Sequence, residues 1–583
     1  MTDQVAVEAF PVGHLPLVRW AVRELRIDAV LDELSPKHDL AHVSDADCVV
    51  AMILNILSGR LALYAMQEWL SFTDVELLIG EGCEADFFHD TRLGTALDRL
   101  DDLGTDLVMG RVVEVYLARE DRPTEYSAHL DTTSVSLYGQ YHGQDGPEVT
   151  HGFSKDKRPD LKQLIFGLVL HGSAGIPLVS DVAAGNTADP VANRDLLARL
   201  GPLLPPEDEV TVVADCKAVD AVTIGRVIDQ GLHIVSLVPD TFKMRGTLIE
   251  AAWEACPDLE EWPELARSPG RRKADPYKVY RGWSTVEPFA IERQVVGVDG
   301  EPQPTRVDQD MRYLVVFSSR LAKRFDGTLE TKLAREQAKL DTFSKTANRK
   351  GFACEADALA AANQTTARLK MLGARPVVER EERKLKRPRR GRPKKGEEAP
   401  TEVVYTVRFE VERDEEAIER HRQRASCFVL ISDHTDDSTW PDARILGEYR
   451  KQFLIENHTG FRWLKSEAAV SPMFLKTTRR IRAMGLVLTL ALMVRNFIQF
   501  SLHGALAKSD GGIRHPYTKK VERRLTTEMA MAWFMGIQSM RLSIAGSPWN
   551  RQTPRFRDTA RQILDLLGVD DTWFTTPPKP NTS

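Results

Sequence analysis

SAHLDTTSVSLYGQY, residues 127–141, alternates polar and apolar side chains and is rich in β-branched and aromatic residues. That pattern predicts a strand. Downstream, LKQLIFGLVLHGSAGIPLVSDVAAGN (161–186) predicts two more strands joined at the Gly172–Gly175 turn. A helix follows from Pro190 to Leu200. EVTVVADCK (209–217) is a short buried strand ending at Asp215. AVDAVTIGRVIDQG (218–231) is a helix closed by Gly231, and HIVSLVP (233–239) is another buried strand. Three strands that can form a meander, then helix, strand, helix and strand, predict an α/β chain with a mixed sheet covered by helices.

The flanks read differently. Residues 1 to about 120 read as helices: VSDADCVVAMILNILSG (43–59) starts at Ser44 as an N-cap and continues with apolar residues at helical spacing. From about 240 the order breaks. PYKVYRGWSTVEPFAIERQVVGV (276–298) and MRYLVVFSS (311–319) predict strands. TLETKLAREQAKLDTFSK (328–345) and ADALAAANQTTARLKML (356–372) predict a helical pair. After a basic run come the strands YTVRFEVER (405–413) and CFVLISD (427–433). DARILGEYRKQFLIENHTGFRWLKS (442–466) then predicts a long helix. The expected division is a helical unit over 1–122, a first catalytic part over 123–240 and an insertion over 241–425 with a basic linker at 383–396. A second catalytic part spans 426–510, and a helical end with a disordered tail spans 511–583.

A length of 583 residues exceeds what one core holds, and the formal charge of −6 gives no global sign of a nucleic-acid partner. The six cysteines include no C-x-x-C pair, which argues against a zinc ribbon or disulfide framework and for a reducing cytosol. MTDQVAVEAF lacks the pattern of a secretory signal. AMGLVLTLALMV (483–494) is too short an apolar run to span a bilayer and reads as a buried helix, so no membrane association is expected.

Three acids carry the expected chemistry. Asp131 and Asp215 each stand at the end of an apolar, β-prone segment, where a strand meets the rim of its sheet. If their strands are neighbours, the carboxylates share one place, and such a pair repels unless a proton or cation joins it. Hard oxygen donors there suit Mg²⁺, with Mn²⁺ as an alternative, and a pair of such ions suits phosphoryl transfer. Either aspartate alone reads first as a turn or helix cap. Glu456 is the third acid. With Tyr449 and Gln452 it shares one helix face, and between Arg444 and Arg482 nine Lys or Arg face only three Glu.

LDTTS (130–134), HGFSKDKRPDLKQLIFGLVLHGSAGIPL (151–178) and VVADCKAVD (212–220) resemble the catalytic blocks of DDE transposases of bacterial insertion sequences. The resemblance is to the insertion-sequence-four superfamily, in the branch of long proteins with an H-G-x-S-K-D-x-R-P-D block, and spans roughly residues 10–500. It implies a ribonuclease H-like mixed sheet with a β-rich and helical insertion, preceded by an all-helical domain. It also implies Asp131, Asp215 and Glu456 as catalytic metal ligands, cut-and-paste transposition on the element's own inverted repeats, a dimer on double-stranded DNA, and residence in the bacterial cytoplasm with the nucleoid. The family signature Y-x2-R-x3-E-x6-K is matched at Tyr449 and Glu456. Gln452 stands in place of the Arg, and Lys465 comes nine residues after Glu456 instead of seven. A bend near Gly460 is expected to return Arg462 or Lys465 to the DNA.

Further cations are expected on DNA. Lys155, Lys157 and Arg158, with His151, lie in the resembling block and suit backbone phosphates. RPRRGRPKKG (387–396) contains Arg390-Gly391-Arg392-Pro393, which looks like an AT-hook that lays Arg into a narrow minor groove; a solvated basic linker is the alternative. Trp440 and Trp463 read as core residues before they read as base-stacking ones. Two competing functions remain: a DNA-binding protein with a dead site, and another ribonuclease H-like nuclease such as a resolvase.

Overall fold

The computed structural model describes residues 5–137, 139, 141, 147–154, 158–172, 174–272, 275–296, 302–385, 400–454, 460–464, 475, 477–509, 511–544 and 549–579. Among these, twelve strands precede residue 433: β1 Val5–Pro11, β2 Glu125–Leu137, β3 Lys162–His171, β4 Pro177–Ala184, β5 Glu209–Ala214, β6 His233–Leu237, β7 Glu264–Arg272, β8 Asp275–Val296, β9 Pro302–Ser318, β10 Leu372–Lys384, β11 Thr401–Arg413 and β12 Cys427–Ser432.

Nine of them form one mixed sheet in the order β4-β3-β2-β5-β6-β12-β9-β8-β7. β2, β3 and β4 are the expected antiparallel meander, while β5 pairs parallel with both β2 and β6. The two parallel steps need crossovers, and helices Asp189–Leu200 and Ala221–Asp229 supply them. Both lie where the sequence pattern puts them. The second backs directly onto β8, and a Cβ at Gly225 would run into the Glu292 carbonyl oxygen. Beyond β6, antiparallel β12 joins the sheet to β9, β8 and β7, so these three strands extend the central sheet. The expected helical pair is present as Ser319–Lys350 and Glu355–Thr366, beside the β10–β11 hairpin.

The apolar run at 483–494 lies inside the longer helix Thr478–Lys508. By length and composition that helix could cross a membrane, yet 94% of its most apolar window is buried inside the protein. Helices Leu15–Glu24, Asp45–Ile56 and Asp90–Leu103 and strand β4 pack around it. The run 483–494 is therefore apolar all round, as an enclosed helical segment requires. Ser44 caps Asp45–Ile56 as expected, in a reciprocal pair with Asp47.

The N-terminal unit is not all helical. VAVEAFP forms β1, which pairs antiparallel with Gln538–Ile544, from Val5↔Ile544 to Pro11↔Gln538. The partner strand lies more than 500 residues away, and no local pattern announces it. Behind this small sheet, Asp74 is buried and accepts from Leu77 N (3.2 Å), Ser539 Oγ (2.6 Å) and both Nε and a terminal nitrogen of Arg551 (2.9 Å each). Burial alone would raise the Asp74 pKa; hydrogen bonds from Arg551 and Ser539 outweigh it and hold the carboxyl below its ordinary value. A depressed folded pKa contributes stability above the unfolded value, and that stability is lost as pH falls through the folded one.

Removing one partner of so buried a pair strands the other charge. Arg551→Met is expected to cost about 3–5 kcal/mol, read as a lowered thermal midpoint at neutral pH. The double variant with Asp74→Asn should recover much of the loss. A single variant as stable as the parent would show that Asp74 is held by its other donors alone.

Candidate active site

β2 and β5 run parallel and in register from Glu125↔Glu209 to Leu130↔Ala214. The next residue on each is an aspartate, Asp131 and Asp215. Neighbouring strands lie about 4.8 Å apart, and in-register parallel partners point to the same face. The two carboxyl groups therefore stand side by side, both partly exposed. β5 stops at Ala214, while β2 continues against β3 alone, with Asp131 opposite Leu168. The aspartates thus mark the rim where the sheet opens. Asp131 Oδ1 accepts from Thr132 N (2.7 Å), and Asp215 Oδ1 accepts from Lys217 N (3.0 Å), so the cap expected of Asp215 is present. One capped oxygen does not prevent a carboxylate from binding a cation through the other.

A third carboxylate near this rim is not legible as such in the sequence. Asp189 opens the helix Asp189–Leu200, accepts a hydrogen bond from Thr132 Oγ1 (3.0 Å) and pairs with Lys217. It thus ties the residue after Asp131 to the loop after Asp215. In the sequence it reads only as the residue before Pro190 at a helix start.

Helix Asp442–Leu454 covers the aspartate face. Trp440, Ile445 and Leu446 pack on Val213 and Val235, and Val213 is the in-register partner of His129, two residues before Asp131. Arg444 pairs with Glu125 at the start of β2. Burial, then the nearby Lys451 cation, push the His129 pKa down to about 3, so this ring is neutral. The helix therefore runs along β2 from Glu125 past His129, in the direction of Asp131. Ile445 and Gln452 are buried, and Tyr449 packs against the same cluster. That is one helix face at spacings of four and three.

Glu456, Lys155, Lys157, Arg390, Arg392 and Lys465, and the side chain of Arg462, lie outside the described residues. The single helix expected over 442–466 is broken at Gly460, a bend that precedes helix Phe461–Leu464. Arg158 is described: it pairs with Asp160 at 2.8 Å on the surface. Other cations near the glutamate segment have protein partners. Lys451 holds Glu448 at 2.6 Å, and Arg450 lies over the Tyr280 ring at 4.7 Å. Arg479, Arg480 and Arg482 bind Asp102, Asp98 and Asp101 of helix Asp90–Leu103 at 2.5–2.7 Å. The basic stretch between Arg444 and Arg482 thus serves in part to dock the N-terminal helices. The run at 387–396 is not a linker between units: Lys384 of β10 pairs with Thr401 of β11, so its two ends are held together. Trp440 and Trp463 are each 8% exposed, in agreement with their reading as core residues.

Residues 7–114 match the sequence profile of a domain of unknown function, DUF4277. No curated protein matches the chain. Among solved structures, the chain is similar to one described as a piggyBac transposase synaptic complex with hairpin DNA. The identity is 8% and the TM-score 0.24, over 49% of this chain and 64% of that one. The chain thus spans less than two thirds of that protein, and an overlap this loose does not establish a shared fold.

Gln452 has a definite consequence. Its side chain is buried, and its Nε2 has no hydrogen-bond partner among the described residues. The position that a family signature would give to Arg therefore does not open to solvent here. Gln452→Met should be neutral or stabilising by about 1–3 kcal/mol, because it removes an unsatisfied buried donor. Gln452→Arg should lower the thermal midpoint, because it buries a charge. A midpoint unchanged by Arg would place this side chain in contact with water.

Proposed function

We propose that this chain is a DNA transposase of the DDE type, acting on the ends of its own element by metal-dependent phosphodiester hydrolysis and strand transfer. The observation that carries the reading is that Asp131 and Asp215 each directly follow the last in-register pair of β2 and β5, Leu130↔Ala214, on the face where helix Asp442–Leu454 packs on Val213. Two residues beyond the last described residue of that helix comes Glu456. In the sequence, Glu456 follows Gln452 at the spacing that Ile445, Tyr449 and Gln452 keep. The strand order β4-β3-β2-β5-β6, a meander followed by two parallel strands, supports a ribonuclease H-like core. The sequence blocks around 130–134, 151–178 and 212–220 support the transposase reading over other nucleases of that core. The profile match at 7–114 is compatible with it.

The donor set fits Mg²⁺ or Mn²⁺: hard carboxylate oxygens, close together, partly open to solvent. Asp131 and Asp215 would share the ions, and Glu456 would complete one site. Bound there, the ions would supply a nucleophile at neutral pH and charge stabilisation at the leaving oxygen. The protein's own part is placement. Thr132 N and Lys217 N orient the two carboxylates, and the Lys217–Asp189 pair closes the rim beside them. The His129 ring, kept neutral by burial, adds no charge to the pocket. Lys155, Lys157 and Arg158 would take backbone phosphates, with Arg158 exchanging Asp160 for DNA. Arg390 and Arg392, carried between β10 and β11, would enter a minor groove, and Tyr449, Arg462 and Lys465 would border the cleaved strand. Pairing of two ends implies a homodimer on DNA, in the bacterial cytoplasm.

Asp131→Asn, Asp215→Asn and Glu456→Gln should each abolish Mg²⁺-dependent nicking of a duplex carrying the element's end, while gel-shift binding persists. Each change removes a ligand charge and keeps shape. Nicking near the parental rate in any of the three removes that residue from the site; nicking with no preference for the ends favours another nuclease.

A further inference from the structure

At the opposite ends of the parallel strands, His233, Asp433 and His434 each bring one donor atom to within 4.8 Å of the others. His233 opens β6 and pairs with Thr211 of β5, which precedes Asp215 by about 13 Å of strand. Asp433 and His434 directly follow β12.

The cluster is held from several sides. Asp433 Oδ1 accepts from Ile234 N (2.7 Å), while its Oδ2 meets His233 Nδ1 at 2.8 Å. His434 Nε2 shares a hydrogen bond with Thr211 Oγ1 (2.9 Å). Its ring lies face to face with Trp440 at 3.7 Å and stacks against His233 at 4.3 Å, and the Arg444 guanidinium covers the far face of Trp440 at 3.8 Å. The buried Arg312 donates to the carbonyls of Thr435 and Trp440 (2.6 and 2.8 Å) and so pins the loop on which the cluster sits. Asp433 and His434 are thus fixed, whereas the His233 side chain is 42% exposed and able to turn.

We propose that His233, Asp433 and His434 form a transition-metal site that fastens the start of helix Asp442–Leu454 to the ends of β5 and β6. Two imidazoles and one carboxylate suit borderline ions such as Zn²⁺ or Co²⁺ rather than Mg²⁺, with water completing the coordination. The supporting hydrogen bonds are of the kind such sites use: a backbone N–H on the carboxylate and a hydroxyl on an imidazole. The bound ion takes the place of the hydrogen bond between His233 and Asp433, whose proton leaves to solvent. This assignment does not depend on the transposase reading.

The test uses the full chain, stripped with a chelator and titrated with Co²⁺. With excess Mg²⁺ present to occupy the aspartates, we expect one Co²⁺ per chain with visible ligand-field absorption, displaced by Zn²⁺. His233→Ala and Asp433→Asn should each weaken binding by more than the roughly 10–100-fold that loss of a supporting hydrogen bond costs. Both leave the His434–Trp440 stack in place, and circular dichroism checks their folding. Asp131→Asn with Asp215→Asn should bind Co²⁺ unchanged. No visible band in the parent chain, or equal affinity in His233→Ala, would reduce the cluster to a hydrogen-bonded His–Asp pair. A band lost only in the Asp131/Asp215 variant would move the ion to the aspartates and overturn the assignment.

Discussion

The parallel pairing of β2 with β5, in register from Glu125↔Glu209 to Leu130↔Ala214, is the constraint on which the rest of the structure turns. A one-residue slip would send either aspartate to the opposite face and separate the two. Parallel pairs cannot be closed by a short turn, so the register is set by what lies around them. Below, helices Asp189–Leu200 and Ala221–Asp229 pack on one face through residues such as Leu196, Ile224 and Val227. Above, helix Asp442–Leu454 seals the other through Ile445 and Leu446. The apolar layers hold the register, and the register places the carboxylates.

Helix Asp442–Leu454 is positioned with similar economy. Its start is fixed by Arg312, by the His434–Trp440–Arg444 stack and by the Arg444–Glu125 pair. Its middle rests on Val213 and Val235. These contacts come from β2, β5, β6, β9 and the loop after β12, so the helix reports on the whole sheet. The insertion between β6 and β12 accordingly does more than decorate: β9 supplies Arg312 and joins the sheet beside β12.

The charge pattern shows how a local excess can mislead. Between Arg444 and Arg482 the sequence is strongly basic. The fold spends several of those cations internally, on Glu125, on Glu448 and on the acids of helix Asp90–Leu103. Those acids sit in a segment that looks like an ordinary solvated helix face. Neither half of the pairing has meaning until both are brought together.

The sequence by itself determined the meander, both crossovers and the strand end at Asp215, whereas Asp131, expected at a strand end, lies within β2, which continues to Leu137 against β3. These follow from local alternation, helical spacing and turn residues, each readable within about ten residues. It also marked 483–494 as core, because a run that apolar has nowhere else to go in a folded interior. Only the tertiary structure decided what depends on distant partners. β1 needed Gln538–Ile544 to become a strand. Asp189 needed Thr132 and Lys217 to become part of the rim. Gln452 needed the sheet beneath it to become a buried amide, and His233 needed Asp433 and His434, some 200 residues away, to become a cluster. Local pattern records which face a residue must hide or show, whereas the identity of its neighbour is set by the packing of the whole chain.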